Sequence, residues 1–124
     1  MTTSMVERNS PASYRVEHEQ GCAIVVASGE IDLHGAPDFR KALESAAAFS
    51  GRIVVDLTDV GFMDSTGLGV VLRARGRGRL PSISLVHPPH MLRKVLHLTS
   101  LSDVLPVYPS RKDAIEGAEP EHPM

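Results

Sequence analysis

The chain has 124 residues, of which 42% are apolar, with a formal net charge of -2 at pH 7 and one cysteine. This length suits a single domain with one core, and the weak charge gives no indication of a nucleic-acid or anionic-membrane partner. No apolar run approaches the ~20 residues of a membrane span, and Cys22 alone cannot form an intrachain disulfide, so we expect a cytoplasmic protein.

The first half of the chain alternates apolar strands with an amphipathic helix. Tyr14 to Glu17 predicts a short edge strand. The continuous Val- and Ile-rich run from Cys22 to Ala27 predicts a strand covered on both faces and ended by Gly29-Glu30-Ile31-Asp32. Apolar residues at steps of three and four then predict a helix facing the sheet; they are Ala36, Phe39, Leu43 and Ala46. A second buried strand is predicted over Ile53 to Leu57.

The second half continues the alternation after the octet Phe62-Met63-Asp64-Ser65-Thr66-Gly67-Leu68-Gly69. Leu68, Val71, Leu72 and Arg75 have helical spacing, with Gly76 and Gly78 as the stop. A strand over Ser82 to Val86 follows. The next helix has its predicted stripe at Leu92, Val95, Leu96 and Thr99. Val104 to Val107 predicts a last strand or an extended segment, and Ser110 to Glu116 a short helix capped by Ser110.

Strands alternating with helices predict an α/β domain. We expect a largely parallel or mixed sheet of four to five strands, covered by about four helices. The domain is expected to span residues 13–116, between a flexible N-terminal segment, 1–12, and a flexible C-terminal tail, 117–124.

The octet places Ser65 where a buried strand ends and a helix begins. At such a junction the first backbone N–H groups lack intrahelical partners and the helix dipole is positive, so an anion is stabilised there. Ser65 is therefore either an ordinary helix cap or a hydroxyl that carries a phosphate. The absence of Glu or Gln three positions later, where Leu68 stands, speaks against a capping box, and Thr66 and Gly67 are poor helix formers for a purely structural first turn.

The order of elements, the octet and Gly29-Glu30-Ile31-Asp32 together resemble the STAS-domain family, and more narrowly the bacterial anti-sigma-factor antagonists. The likeness runs from about Tyr14 to Ile115. It implies a protein that, unphosphorylated, binds an anti-sigma factor, usually a serine kinase, and so releases a sigma factor. It also implies that the kinase phosphorylates Ser65, that binding is then lost, and that a serine phosphatase restores it. The free protein is expected to be a monomer or a weak dimer.

The residues around Ser65 are predicted to form a partner-binding loop, each with a structural alternative. Asp64 is expected to orient the Ser65 hydroxyl or bind the metal ion of the kinase, unless it serves the turn. Of Phe62 and Met63, alternation places one in the core and leaves the other for a partner. Thr66 is at most a minor or alternative acceptor of the phosphoryl group. The remaining members are Glu30, Asp32, Gly67, Leu68 and Gly69. The glycines would let a partner or a phosphate approach closely, or they simply serve a tight turn. The acidic pair lies near the phosphoserine loop in the resembling family, and the structural alternative for Asp32 is a solvated turn and helix cap.

Other patterns predict no further chemistry. Arg73, Arg75, Arg77 and Arg79 are most simply cations near a helix C-terminus, and without interleaved aromatic residues they do not predict nucleic-acid binding. His87 and His90 lack a third ligand at a standard spacing, so we expect no metal and no cofactor. One departure from the resembling family is the Arg-Gly-Arg-Gly-Arg-Leu-Pro segment, which is about two residues short.

Two rival functions remain open from the sequence. An esterase elbow needs Gly-x-Ser-x-Gly, but Met63 stands at the first glycine position, so we expect no enzyme. The alternative to a phosphorylation switch is a STAS module that binds a nucleotide or another small ligand through backbone groups near Gly67, although no phosphate-binding glycine motif is present.

Overall fold

A computed structural model describes residues 12–121 of the chain. The strands are β1 (Ser13–Glu19), β2 (Cys22–Ile31), β3 (Arg52–Met63), β4 (Ser82–Val86) and β5 (Val107–Tyr108). The helices are α1 (Ala36–Phe49), α2 (Ser65–Arg75), α3 (His90–Leu98) and α4 (Arg111–Glu116), with one 3-10 turn over Leu101–Asp103. Most of the predicted flexible ends, residues 1–11 and 122–124, lies outside the described part and stays a prediction. Of the remainder, Ala12 is buried, and the Glu121 backbone N–H donates to the Val107 carbonyl oxygen at 2.8 Å.

The five strands form one sheet in the order β1-β2-β3-β4-β5. The edge strand β1 is antiparallel to β2, whereas β2, β3, β4 and β5 run parallel to one another. The predicted α/β class and the mixed, largely parallel sheet are thereby confirmed. This order makes β3 the central strand, so the segment that follows it lies in the middle of one end of the sheet.

Helices cover the two faces of the sheet unequally. The larger apolar cluster joins one face to α1, α2 and α3 through side chains that include Phe39, Val71 and Leu96. The smaller cluster, on the opposite face, is closed by Ala114 and Ile115 of α4. Both faces of β2 and β3 are therefore buried, which explains why their sequences are continuous apolar runs rather than alternating ones.

Three predicted details are wrong. The strand expected over Ile53 to Leu57 continues to Met63, because β2 also extends past Ala27 and pairs with it as far as Met63. The last strand is Val107–Tyr108 rather than Val104 to Val107, with only two residues paired to β4. In α3 the side chain of Val95 is 40% exposed, so the buried stripe consists of Leu92 and Leu96.

A polar network ties α4 to the sheet. The Asp56 side chain, in a residue only 8% exposed, accepts hydrogen bonds from the Thr58 backbone N–H (3.1 Å), the Thr58 hydroxyl (2.6 Å) and the Arg111 guanidinium (2.9 and 3.2 Å). Arg111 Nη1 also donates to Glu17 Oε1 at 3.0 Å, so the network joins β1, β3 and α4. Burial disfavours the Asp56 carboxylate, but the hydrogen bonds from Thr58 and Arg111 outweigh it and hold the pKa of Asp56 below its usual value.

Because the pKa of Asp56 is lower in the folded protein than in the unfolded chain, the free energy of unfolding depends on pH. The contribution of the Asp56 carboxylate is present at neutral pH and is lost as the pH falls below about 4, where the unfolded chain begins to take up protons. We expect Asp56→Asn to cost about 1–2 kcal/mol at pH 7 and to make the remaining stability less sensitive to acid. Urea unfolding between pH 7 and pH 3 measures both effects. Asp59→Asn, which replaces an exposed carboxylate three residues further along the same strand, is the control. An equal acid response of wild type and Asp56→Asn would contradict the assignment.

Candidate functional site

The octet forms the junction between the C-terminal end of β3 and the first turn of α2. The neighbouring strand β2 ends alongside it, with Glu30 opposite Phe62 and Ile31 opposite Met63. The Asp64 backbone N–H donates to the Ile31 carbonyl oxygen at 3.2 Å, which fixes the junction to β2. Parallel pairing thus brings the two predicted motifs, far apart in the sequence, to the same end of the sheet.

Asp64, not Ser65, caps α2. Asp64 Oδ1 accepts hydrogen bonds from the backbone N–H groups of Thr66 (2.8 Å) and Gly67 (3.4 Å), and Ser65 is the first residue of the helix. The structural alternative for Ser65, a helix cap, is therefore wrong. The helix start does stabilise an anion, but that anion is the Asp64 carboxylate, so the Thr66 and Gly67 N–H groups are not open to a further one.

Loss of this cap gives a stability prediction. Asp64→Ala leaves the Thr66 and Gly67 N–H groups without their acceptor and is expected to destabilise the protein by about 1 kcal/mol. Asp64→Asn keeps an acceptor oxygen and should recover most of the loss. Chemical denaturation of the three proteins measures the difference, and equal losses in Ala and Asn variants would contradict the capping role.

Ser65 presents its side chain to solvent. The residue is exposed, whereas Thr66 is half-buried and Gly67 is buried. Within residues 12–121 the Ser65 hydroxyl has no hydrogen-bond partner, so neither Asp64 nor any other described side chain orients it. An exposed hydroxyl at a fixed backbone position is accessible to a second protein.

The predicted alternation of Phe62 and Met63 is confirmed. Met63 is 7% exposed and belongs to the core, while the Phe62 side chain is 50% exposed. Leu68 is also buried. A Cβ atom placed on Gly67 would lie 2.9 Å from Ile31 Cγ2 and 2.9 Å from Met63 Cγ, so this glycine allows α2 to pack closely on the sheet.

The predicted acidic pair lies at the end of β2. Glu30 is exposed, whereas Asp32 holds the turn into α1: its Oδ1 accepts from the N–H groups of His34 (3.0 Å) and Gly35 (3.3 Å). Asp32 therefore has the turn role that was its structural alternative, and Glu30 is the member of the pair whose side chain stands free at the surface of the site.

An apolar cleft of about 180 Å³ opens beside Ser65, between the start of α2 and helix α3. Its lining residues are Met63, Asp64, Ser65, Leu68, Met91, Leu92 and Val95. The sequence interpretation did not include α3 in the site. On that helix Met91 is 70% exposed and Leu98 is 82% exposed, and together with Val95 they follow at spacings of four and three residues. That spacing, on the face next to the buried Leu92 and Leu96, was the sequence signal that α3 belongs to the site.

The site holds no evident metal ligands. Across residues 12–121 no cluster of three or more His, Cys, Asp or Glu side chains has the geometry for a metal ion. None of the helices described there is long and apolar enough to cross a membrane.

Comparisons of this chain with a family model, with related sequences and with solved structures agree on the kind of protein it is similar to. The family model for the STAS domain matches residues 13–114. The anti-sigma F factor antagonist of Paenibacillus polymyxa is 31% identical over 110 residues, which cover 84% of this chain and 92% of the relative. The anti-sigma-B factor antagonist of Listeria monocytogenes is 36% identical over 86 residues, 67% of this chain and 75% of that protein. The crystal structure of an anti-sigma factor antagonist from Mycobacterium paratuberculosis superimposes with a TM-score of 0.76 at 30% identity, covering 86% of this chain and 93% of the other.

Proposed function

The chain belongs to the STAS-domain family, and from this premise we propose that it is an anti-sigma-factor antagonist switched by phosphorylation of Ser65. The unphosphorylated form binds an anti-sigma factor with serine-kinase activity, and a sigma factor is thereby released. The observation that carries the proposal is the position of Ser65, an exposed hydroxyl on a rigid helix start at the rim of an apolar cleft.

In the proposed switch the bound kinase modifies the surface that it contacts. Ser65 Oγ attacks the γ-phosphorus of ATP, the bond to the ADP oxygen breaks, and the hydroxyl proton passes to a base of the kinase. The product carries about -1.5 to -2 charges at pH 7. A dianion at the rim of an apolar contact must be desolvated for the partner to return, and that cost weakens the complex.

The proposal assigns the contact to exposed residues around the cleft. Met91 lines the cleft, Leu98 lies farther along α3, and Phe62 lies near the end of β3, three residues before Ser65; all three are exposed. These apolar side chains contribute nothing to the core of the free protein, whereas burying each of them against a partner stabilises a complex by about 1–3 kcal/mol. Met63 and Leu68 form the floor of the cleft and act by shaping it.

Met91 offers a test that separates binding from folding. Because its side chain is 70% exposed, Met91→Ser should leave the free energy of unfolding within about 0.5 kcal/mol of wild type. We expect the same variant to weaken binding to the anti-sigma factor about tenfold or more. Calorimetric titration measures the affinity. Leu80→Ser, equally exposed but beyond the other end of α2, is the control and should bind normally. Normal binding by Met91→Ser would exclude α3 from the contact.

We propose no catalytic activity for the chain itself. A serine hydrolase would need a histidine base at Ser65, but the cleft beside it is lined, within the described chain, by apolar residues and Asp64. His97 instead lies with its Nδ1 3.3 Å from the Ser102 hydroxyl. Ser65 is thus proposed as an acceptor of a phosphoryl group and not as a nucleophile in hydrolysis.

The remaining parts of the system follow from the same proposal. A serine phosphatase returns the protein to its binding form, the exchange takes place in the cytoplasm, and the free antagonist is a monomer or weak dimer with no nucleic-acid partner.

The proposal is tested by titrating the purified protein with the serine-kinase anti-sigma factors encoded in its genome. Saturable 1:1 binding that ATP abolishes supports it, and no binding to any of them contradicts it.

A further inference from the structure

Two arginines near the C-terminal end of α2 have opposite orientations. Arg75 donates to the carbonyl oxygens of Val104 (3.1 Å), Gly76 (3.1 Å) and Gly78 (2.9 Å), beyond the helix C-terminus. Arg73 extends toward the N-terminus, with its guanidinium Nη1, Nη2 and Cζ atoms 3.5, 3.7 and 3.8 Å from the point where Gly69 would carry a Cβ. The dipole-complementing role predicted for the arginine series therefore fits Arg75 but not Arg73.

Arg73 is a cation without a partner in the described chain. The residue is exposed, and within residues 12–121 its guanidinium has no hydrogen bond and no carboxylate within ion-pair distance. A side chain that extends beyond Cβ at position 69 would occupy the space in which the guanidinium lies, whereas a Cβ atom alone would be at an ordinary contact distance of 3.5 Å.

The guanidinium lies on the face of α2 that carries Ser65. Positions 65, 69 and 73 are four residues apart, and long helical side chains lean toward the N-terminus. With a rise of 1.5 Å per residue, Gly69 is about 6 Å along the axis from Ser65. The next side chains beyond the guanidinium are Ser65 and Thr66, four and three residues before Gly69, and of these two Ser65 is exposed whereas Thr66 is half-buried.

A phosphate on Ser65 would need such a cation. The Thr66 and Gly67 N–H groups at the start of α2 already donate to Asp64. β2, the loop after it and the β3–α2 junction bring the carboxylates of Glu30, Asp32 and Asp64 to this end of the sheet, together with His34, whose Nδ1 lies 3.9 Å from Asp32 Oδ1. Helix α3 contributes His90 at its first turn, and α1, which packs against α2, carries Asp38, Arg40, Lys41 and Glu44. The three carboxylates repel a dianion added here, and on α2 the Arg73 guanidinium is the cation directed toward it.

We propose that Arg73 is the internal counter-cation of phosphorylated Ser65, and that its guanidinium pairs with the phosphoryl group across Gly69. The inference rests on the proposed function only in naming Ser65 as the modified residue. The pair adds a charge-assisted hydrogen bond that exists only in the phosphorylated state. It holds the phosphoryl group along the helix face and favours its dianionic form.

The test uses full-length protein with phosphoserine incorporated at position 65 during translation, so that no kinase is required. A ³¹P NMR titration measures proton binding by the phosphoryl group, in wild type, Arg73→Gln and Arg77→Gln. Arg77 lies beyond the C-terminal end of α2, so its replacement removes the same charge far from Ser65. Glu30, Asp32, Asp64 and His90 are unchanged in all three proteins, so their effects cancel in the comparison.

We expect Arg73→Gln to bind the phosphate proton about threefold more tightly than wild type, the size of one exposed ion pair, and Arg77→Gln to titrate like wild type. In wild type the Arg73 Nε–H resonance should move as the phosphate ionises. Identical titrations of Arg73→Gln and wild type, or an equal change in both variants, would overturn the inference. Binding of the same phosphoserine protein to the anti-sigma factor is a separate measurement; retained affinity there would contradict the proposed switch without altering the result for Arg73.

Discussion

Replacing Ser65 by glutamate is expected to weaken binding to the anti-sigma factor about tenfold or more, and phosphorylation about a hundredfold, which corresponds to roughly 2.8 kcal/mol. The reason is the position of the hydroxyl at the rim of the apolar cleft, where a charge must lose its water when the partner binds. Glutamate carries less charge than a phosphoryl group and has two acceptor oxygens rather than three, so its effect should be smaller.

Two variants make this result specific. Ser65→Ala should bind like wild type and keep its affinity after incubation with kinase and ATP, because it cannot accept the phosphoryl group. Ser45→Glu introduces the same charge on the exposed face of α1 and should bind normally. Calorimetry measures the affinities, and unfolding curves should show that all three variants are folded. A Ser65→Glu variant with wild-type affinity would exclude a simple charge switch.

A second large effect is expected from Gly67→Ala, which adds one methyl group beneath the junction between β3 and α2. Gly67→Ala would place a Cβ atom 2.9 Å from Ile31 Cγ2 and from Met63 Cγ, both in the core. The overpacking should cost about 1–3 kcal/mol even after the gain in helix propensity. Because relief of the contact requires α2 to move away from the sheet, we also expect weaker binding to the anti-sigma factor.

Gly69→Ala is the matched control for that substitution. It lies in the same helix, and the nearest atom to its Cβ would be Arg73 Nη1, at an ordinary contact distance of 3.5 Å. Here the higher helix propensity of alanine should stabilise the protein by about 0.5–1 kcal/mol. Denaturation of the two variants should therefore give opposite signs. A stabilised Gly67→Ala would show that α2 does not pack as closely on the sheet as the structure indicates.

The sequence predicted those parts of the fold that depend on strong local patterns. The runs at Cys22–Ala27 and Ile53–Leu57 identified the two central strands because both of their faces are buried. Ser110 was correctly predicted as a cap, since its side chain accepts from the Asp113 N–H at 3.1 Å. Strand ends were less accurate, because β3 continues to Met63 through pairing with β2, a contact that no local pattern encodes.

The candidate site could be predicted only in part for a similar reason. The octet locates Ser65 at the start of the helix. Asp and Ser are both favoured as helix caps, so the sequence does not decide which of the two is the cap; the backbone conformation at Asp64 does. The cleft depends on α3 lying next to the start of α2, and the orientation of Arg73 depends on the space above Gly69. Both are tertiary arrangements, and neither has a sequence motif of its own.

The most direct test of the central claim is intact-mass spectrometry with site mapping, after incubation of the protein with ATP and each serine-kinase anti-sigma factor of its genome. The account predicts one added phosphate, located on Ser65, together with loss of binding to the kinase that added it. Stoichiometric phosphorylation of Ser65→Ala, or a single phosphate mapped to another residue, would contradict it.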